Sequence, residues 1–166
     1  MKKVVALLMM MQFGFGFAQV QFDLAGVEKF QKELNAEYAE AKTSPLLPED
    51  LKEFKSLDFY PANDHFFVVA QFIRSENEQP FEMKTTTARK PVYVKYGEAH
   101  FSIDGQFFKL NIYRNIELSK KEQYKDYLFL PFSDLTCGNE SYIGGKYIDM
   151  KIPQGDRIVI DFNTSY

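Results

Sequence analysis

The sequence predicts an α+β domain in which two N-terminal helices precede a mostly antiparallel, strongly curved β-sheet or a partly closed barrel. Three observations predict this class. Helical periodicity is confined to residues 24–54, strand-like segments occupy residues 57–163, and helices and strands do not alternate along the chain. Helices followed by a run of strands are typical of α+β domains. A curved or partly closed sheet also leaves fewer strand edges exposed to other chains.

Residues 1–18 have the features of a secretory signal peptide. Two lysines follow the first methionine, an apolar run covers residues 4–11, and small residues stand at Gly16 and Ala18. The run is shorter than the about 20 residues of a membrane-spanning helix, and a buried N-terminal helix is the alternative interpretation. We expect cleavage after Ala18, export across the inner membrane to the periplasm or cell exterior, and one mature domain over residues 19–166.

Composition excludes several partner classes. The formal net charge is -3, and cleavage would remove two lysines and no acid. A mildly acidic chain is disfavoured as a partner of nucleic acids and anionic membranes. After the leader no long apolar segment follows, so the mature chain has no predicted transmembrane segment. The 17 Phe and 10 Tyr residues supply a core, and the single cysteine, Cys137, excludes an internal disulfide.

The first helix is predicted over residues 24–42, with Asp23 at its N-cap position. One apolar stripe at helical period runs along it and consists of Val27, Phe30, Leu34, Tyr38 and Ala41. The opposite face is not strongly basic, so we interpret the stripe as a core contact rather than a membrane-binding face. A short second helix is predicted over residues 48–54, with Pro48 in its first turn.

At least eight strands are predicted after the helices. The run FFVVAQFI over residues 66–73 is apolar at almost every position, which predicts a central strand buried on both faces. Other strand-like segments cover residues 57–60, 81–87, 91–96 and 127–130. The charged residues 116–125 predict a loop or a short helical turn.

The most definite local prediction is a hairpin at Asp104 and Gly105. An Asp-Gly pair between alternating runs favours a two-residue type I′ turn. The resulting register places Phe101 opposite Phe108 and Ala99 opposite Leu110 on one face. The opposite face is mainly polar, and its pairs are Glu98 with Asn111, His100 with Lys109, and Ser102 with Phe107. His100 is therefore predicted to lie on the surface.

A second hairpin is predicted between residues 146–152 and 157–162, across the loop PQGD. In that register Lys146 and Asp161 lie diagonally on one face, next to apolar neighbours that partly desolvate them. Breaking a buried ion pair is costly because one charge is left without a partner. We therefore expect Lys146 and Asp161 to form an ion pair that ties the Gly144-Gly145 turn to the last strand.

The polar segment 131–149 contains no motif that defines a chemistry. Its glycines match neither a phosphate-binding loop nor a dinucleotide fingerprint, so we interpret them as turn glycines. Four acids could offer oxygens to calcium but lack the order of an EF-hand loop: Asp134, Glu140, Asp149 and Asp161. Cys137 and Ser141 lack the sequence setting of a nucleophile, and His65 and His100 stand apart. No metal site and no cofactor are predicted.

Four strings occur in order along the chain: FEMKTTTAR, VYVKYGEAHFSIDGQFFKLNIY, LFLPFSDLTCGNESYIGGKYIDM and VIDFNTSY. Over residues 54–166 the chain resembles the DUF1684 family of bacterial and archaeal proteins, whose domain has no assigned function. The most specific match is PF-x-D-x-T-x-G-x-x-x-Y-x-G-G-(R/K)-Y-(L/I)-D, followed by the closing D-F-N-x-x-Y. The family more often has Arg at the position of Lys146 and usually Ser at that of Cys137. Family members continue past Tyr166 with a Cys- and Pro-containing tail and a P-x-E-N element, so the resemblance carries over no residue of that tail.

These observations leave three function classes open. The first is an exported, non-catalytic module that binds a small polar ligand or an envelope component at the 131–149 segment. Its candidate binding residues are Asp134, Thr136, Tyr142, Lys146, Tyr147, Asp161 and Asn163. The second is a hydrolase that uses Asp134 or Asp161 as general acid or base. The third is a structural interaction domain in which the segment closes the barrel.

Overall fold

The computed structural model describes residues 20–85 and 88–166. The predicted signal peptide lies outside the described residues, as do the final two residues of the strand predicted over 81–87. In the part that is described, two α-helices precede seven β-strands. The predicted α+β class with N-terminal helices and an antiparallel sheet is confirmed at this level.

Both helices form where the sequence predicts them, the first from its apolar stripe and the second from Pro48. Helix α1 covers Leu24–Ala39 and helix α2 covers Pro48–Glu53. The stripe of α1 faces the protein, since Val27 is buried and the next three stripe residues are half-buried. The helix ends earlier than predicted because residues 40–42 are exposed and gain no packing. The side chain of Asp23, at the N-cap position, makes no capping hydrogen bond.

The strands are β1 (Phe67–Arg74), β2 (Phe81–Glu82), β3 (Val92–Ile103), β4 (Gln106–Asn115), β5 (Tyr127–Phe132), β6 (Lys146–Lys151) and β7 (Arg157–Asp161). All pairings are antiparallel, in the order β6-β5-β4-β3-β1-β7, with β2 paired to β3. The sheet curls into a half-barrel, and as a result the two edge strands β6 and β7 line one cleft. Inward side chains of both edges, including Ile148 and Ile160, join a single hydrophobic core.

The β3–β4 hairpin has the predicted turn and register. Asp104 and Gly105 both have positive φ angles, 51° and 75°, as a type I′ turn requires. Phe101 pairs with Phe108, Ala99 with Leu110 and His100 with Lys109, which confirms the predicted facing pairs. The segment predicted over 91–96 is the beginning of the same long strand.

A bulge at Tyr96 explains why the sequence suggests two separate strands there. The register of β3 against β4 shifts between Lys95 and Gly97. A Cβ at Gly97 would lie 2.5 Å from the ring of Phe72 and 2.7 Å from the carbonyl oxygen of Ile73. Only glycine therefore allows β1 to approach the bulged strand this closely.

Strand β1 is central in the sheet but is not buried on both faces as predicted. Its residues alternate, with Ala70 and Phe72 buried while Val69 and Ile73 are 45% and 47% exposed. The outward apolar side chains of β1 lie on the outer face of the curled sheet, which nothing in the described part of the chain covers completely. The predicted strand over 57–60 does not form, so the described strands are fewer than predicted.

The predicted hairpin between β6 and β7 is wrong. β6 pairs with β5 and β7 pairs with β1, so the two strands occupy opposite edges of the sheet. The five residues between them, 152–156, carry the chain across the open side of the half-barrel. Curling of the sheet brings the edges toward each other without forming a ladder between them.

Candidate functional site

Residues 133–145 connect β5 to β6 and form a hydrogen-bonded loop that we call the signature loop. The carbonyl oxygen of Thr136 accepts three main-chain N–H groups, those of Asn139, Glu140 and Ser141. The loop re-enters the sheet at Gly145, where φ is +103° and a Cβ would lie 2.8 Å from the carbonyl oxygen of Phe132. Gly138 also has a positive φ, of +84°. Both positions therefore support the interpretation as turn glycines.

Asp134, Thr136 and Lys146 form an ion-pair cluster at the base of this loop. The ammonium Nζ of Lys146 donates to Asp134 Oδ2 and to Thr136 Oγ1, each at 2.7 Å. The other carboxylate oxygen of Asp134 accepts the hydroxyl and, at 2.9 Å, the main-chain N–H of Thr136. The Lys146 side chain is 14% exposed and that of Asp134 is 41% exposed. The cluster joins the start of the loop to the first residue of β6.

These contacts determine the protonation state of Asp134. Partial burial raises the pKa of Asp134, but the hydrogen bonds from Lys146 and then Thr136 outweigh burial and lower the pKa to about 2. The ring of Tyr60 lies 5.4 Å from the Lys146 ammonium, at cation–π distance. Asp134 is thus an ionised, fully engaged carboxylate at neutral pH.

The predicted ion pair between Lys146 and Asp161 is wrong. It depended on the β6–β7 register, which does not form, and the ammonium binds Asp134 instead. Asp161 uses Oδ1 to accept the main-chain N–H of Asn163 at 3.0 Å and its side-chain amide at 2.6 Å. These bonds cap the short turn Phe162–Thr164 that follows β7.

Asn163 clamps the end of β7 to the loop before β1. Its side-chain oxygen accepts the main-chain N–H of Asn63 at 2.8 Å, and its amide nitrogen donates to the carbonyl oxygen of Asn63 at 2.9 Å. An amide that satisfies both main-chain groups of one residue acts as a structural clip. The closing D-F-N string therefore has a folding role in this chain.

The two predicted tyrosines lie in different environments. Tyr142 is 54% exposed at the tip of the signature loop. Tyr147 is half-buried, stacks on Phe129 at 5.3 Å between ring centroids, and donates its hydroxyl to the carbonyl oxygen of Gly144 at 3.3 Å. Burial, and secondarily the charge of Tyr142, raises the pKa of Tyr147. The seven predicted site residues thus divide among the ion-pair cluster, the Asn163 clip and these two tyrosines.

A carboxylate bound by two tyrosines was not predicted as such a group. Asp149 Oδ1 accepts the hydroxyl of Tyr127 at 2.7 Å and that of Tyr166 at 2.8 Å. Burial, reinforced by Asp149, raises the pKa of both tyrosines. A prediction that β5 pairs with β6 could have indicated this group, because that register places Asp149 opposite Phe129 on β5.

A charged cluster on the β3–β4 hairpin was also missed. Glu98 accepts Lys95 at 2.6 Å and Lys109 at 3.3 Å, and lies 2.8 Å from His100 Nε2. The hydrogen bond from Lys95, followed by that from His100, lowers the pKa of Glu98 to about 2. The predicted register already placed Glu98, His100 and Lys109 on one face, so this cluster could have been predicted from the sequence.

A cleft runs between the facing edges of β6 and β7, and we call it the edge slot. Its volume is about 360 Å³. Its lining contains apolar side chains from the core side and polar side chains from the outer side: Ile148, Asp149, Met150, Lys151, Pro153, Arg157, Ile158, Val159, Asp161 and Thr164. The slot therefore combines the last four residues of β6 with residues of β7.

The described residues show no catalytic constellation. His65 contacts Asp104 and His100 contacts Glu98, whereas the thiol of Cys137 lies near Asp134 and Ser141. No group of three or more His, Cys, Asp or Glu residues within the described ranges is placed to hold a metal ion. The four acids considered for calcium have different partners: Lys146 for Asp134, Tyr60 for Glu140, two tyrosines for Asp149 and Asn163 for Asp161.

The fold and the signature loop define an α+β half-barrel whose characteristic residues close a loop between two strands. The family model for "Protein of unknown function (DUF1684)" matches residues 52–166, and this chain belongs to that family. Membership confirms the resemblance on which the motif residues were chosen.

A solved structure with the same architecture is the solution NMR structure of an uncharacterized protein of Haloarcula marismortui. The two chains are 26% identical, the match covers 86% of this chain and 76% of the other, and the TM-score is 0.66. A comparison with curated proteins found no match. Among the described residues, no helix has both the length and the apolar character required to cross a membrane.

Proposed function

We propose that this protein is an exported, non-catalytic binding module whose ligand site is the edge slot. The ligand class is a small polar molecule or a component of the cell envelope. The observation that carries the proposal is the slot itself, a cleft of about 360 Å³ between two strand edges. Ligand pockets in proteins have volumes of roughly 300–1,000 Å³ and combine an apolar lining with a few polar groups.

The lining of the slot suits a ligand with polar and apolar parts. Ile148, Met150 and Ile158 form an apolar floor that continues into the hydrophobic core. Lys151 and Arg157 stand on the outer side, and neither side chain makes a hydrogen bond or ion pair within the described residues. Two cations without partners favour a ligand that carries negative charge near them.

The signature loop leads into β6, which lines the slot, but the loop does not itself offer free binding groups. Asp134, Thr136 and Lys146 satisfy one another, so a ligand would have to replace strong charge-assisted hydrogen bonds to bind there. Lys146 is the first residue of β6, two residues before the slot lining begins at Ile148. We therefore move the proposed ligand contacts from the loop to the strand that follows it.

The hydrolase hypothesis receives less support. A general acid or base functions best with a pKa near the working pH. The pKa of Asp134 is lowered to about 2, and one oxygen of Asp161 is occupied by Asn163. Among the described residues neither carboxylate contacts a histidine, and the thiol of Cys137 contacts Asp134 only as a weak hydrogen-bond donor, at 3.7 Å.

Export follows from the N-terminal sequence alone. The basic start, the apolar run and the small residues at Gly16 and Ala18 are the features of a cleaved leader. Periplasmic or extracellular location would be tested by fractionation of cells and by the N-terminal sequence of the mature protein. A mature chain starting at Gln19 supports export, and a retained leader in the cytoplasm contradicts it.

A thermal-shift screen of the mature chain tests the binding function. The compounds are envelope sugars, organic acids, nucleotides and metal ions, because a ligand that binds only the folded state raises the melting temperature by mass action. The variants Val159→Arg, which places a bulky cation in the slot, and Arg157→Gln, which removes one, should abolish or weaken a hit. Lys120→Gln, on an exposed turn away from the slot, should retain it.

Two results would contradict the proposal. One is the absence of any stabilising compound at millimolar concentration. The other is a hit that Val159→Arg retains in full, because such a ligand binds outside the slot.

A further inference from the structure

The main-chain groups of β6 alternate between the β5 side and the edge slot. Ile152 N–H donates to Asp126 on the β5 side. Antiparallel strands alternate between bonded and non-bonded pairs, so residues 148 and 150 also bond toward β5. The N–H and C=O groups of Asp149 and Lys151 therefore point to the slot. Tyr147 confirms this direction, because its main chain bonds away from β5, to Tyr166.

Strand β7 presents a matching edge from the other side. Phe72 N–H donates to the carbonyl oxygen of Asp156 on the β1 side at 2.7 Å. By the same alternation, the main-chain groups of residues 158 and 160 bond toward β1. The N–H and C=O groups of Arg157, Val159 and Asp161 therefore point to the slot. No ladder joins β6 to β7 in the described part of the chain. Two rows of strand-edge donors and acceptors thus face each other across the slot.

We propose that the edge slot accepts an extended peptide segment of a partner protein as an added strand between β6 and β7. This inference rests on the proposed function and, of its two ligand classes, takes the envelope component and identifies it as a protein segment. Extended peptides commonly add to exposed sheet edges, with main-chain hydrogen bonds giving affinity and alternate side chains giving specificity. Since β6 and β7 run in opposite directions, the peptide is antiparallel to one edge and parallel to the other.

The chain itself shows that the β6 edge takes up an extended segment. Tyr147 N–H donates to Tyr166 O at 2.9 Å, and Tyr166 N–H donates to Tyr147 O at 3.1 Å. This reciprocal pair is the bonding unit of an antiparallel ladder. Because the pair is antiparallel, Ser165 lies toward Ile148, and Thr164 lines the slot. A bound peptide would therefore use the part of the β6 edge toward Lys151, which has no strand beside it in the described part of the chain.

The side chains around the slot define the peptide sequence that fits. In a strand, alternate side chains point to opposite faces. One face of the peptide meets Ile148, Met150 and Ile158 and requires apolar residues. The other face meets Lys151 and Arg157 at the loop end and favours acidic residues there. The acids that line or flank the slot have partners of their own: Asp149 accepts two tyrosine hydroxyls, Asp161 accepts Asn163, and Asp156 accepts Gln71. The inferred ligand is an alternating apolar and acidic segment.

The test uses the mature chain, labelled with nitrogen-15, and the capped hexapeptide acetyl-Val-Glu-Val-Glu-Val-Glu-amide. In the free protein the amides of Asp149, Lys151 and Val159 should exchange with solvent quickly, whereas those of Met150 and Ile158 exchange slowly. Saturation with peptide should slow exchange of the slot amides by tenfold or more. Arg157→Gln should weaken peptide binding severalfold, and Lys120→Gln should leave it unchanged.

Two control peptides separate strand addition from simple charge attraction. N-methylation of alternate peptide residues removes main-chain donors and should abolish binding, and Lys in place of Glu should weaken it. The inference is overturned if the N-methylated peptide binds as well as the parent. It is also overturned if the slot amides are already protected in the free protein, or if no peptide protects them at millimolar concentration. A small-molecule hit that Val159→Arg abolishes, together with failure of every peptide, would retain the proposed function and reject strand addition.

Discussion

Replacing Lys146 with methionine tests the ion-pair cluster, because the variant keeps most of the apolar stem and removes the ammonium. Asp134 then keeps its bonds to Thr136 but loses its ion pair. A pKa lowered from 3.8 to about 2 corresponds to at most about 2.4 kcal/mol, at about 1.36 kcal/mol per pH unit. The Asp134 side chain is 41% exposed, and solvent screening reduces the expected loss of unfolding free energy to about 1–1.5 kcal/mol at neutral pH.

The sign of the pH dependence follows from the lowered pKa of Asp134. A carboxyl group with a lowered folded-state pKa stabilises the fold above its ordinary pKa, and that contribution disappears as pH falls toward the folded-state value. The wild type should therefore lose this contribution between about pH 5 and about pH 2. Lys146→Met, which has already lost it, should be destabilised relative to wild type at neutral pH and much less so near pH 2.

Urea denaturation of four proteins measures the effect: wild type, Lys146→Met, Asp134→Asn and the double variant. The coupling energy between the two positions should be about 1 kcal/mol at neutral pH and should fall toward zero in acid. Glu98, whose pKa is also lowered to about 2, is present in all four proteins and cancels in the cycle. A coupling energy near zero at neutral pH, or one that does not change in acid, would refute the reasoning.

Three further predictions concern the other parts of the structure. Gly145→Ala should destabilise the fold by more than about 1 kcal/mol, because φ at this site is +103° and a Cβ would lie 2.8 Å from a carbonyl oxygen. Gly155→Ala is the control and should be nearly neutral, because no atom lies within 4 Å of the new Cβ. Equal melting temperatures of the two variants would contradict this prediction. Asn163→Ala should lower the unfolding free energy by about 2 kcal/mol, since the main-chain N–H and C=O of Asn63 lose their hydrogen-bond partners. A chemical-denaturation midpoint equal to that of wild type would count against this structural role of Asn163. Tyr127 and Tyr166 should ionise above the ordinary tyrosine range in ultraviolet titration, because burial raises the pKa of each. The folded state then keeps these protons to a higher pH than the unfolded state does, so the free energy of unfolding should fall above about pH 10. If all tyrosines titrate together in the ordinary range, the Asp149 group is contradicted.

The sequence predicted those parts of the fold that local chemistry determines. The Asp104-Gly105 turn requires positive φ angles, and this requirement fixed the register of β3 against β4 from the turn as far as Gly97, where the bulge shifts it. The helix positions followed from one apolar stripe and one proline for the same reason. In each case the signal and the structure it specifies lie within about 20 residues of one another.

Strand pairing over longer distances was not predictable from local signals. The loop PQGD marks a reversal of the chain, but a reversal does not state whether the two strands pair or cross to opposite edges. Here β6 finds its partner in β5 and β7 finds its partner in β1. The mistaken hairpin then led directly to the mistaken partner of Lys146.

The candidate site was predicted in part for a related reason. The family string contains Asp134, Thr136 and Lys146, and these three are in contact because they lie in the loop after β5 and at the start of β6. The slot residues Lys151 and Arg157 lie just outside the sequence segments that resemble the family. Their importance arises from the curl of the sheet, which is a property of the whole chain rather than of any segment.

The binding role of the edge slot is tested most directly by chemical-shift mapping on the nitrogen-15-labelled mature chain. The ligand used is whichever compound gives the largest thermal shift in the screen. If the slot is the binding site, the perturbed amides cluster on β6 and β7, with the largest changes at Asp149, Lys151 and Val159. Perturbations centred on Asp134 and Thr136 in the signature loop, with those strand residues unchanged, would contradict it.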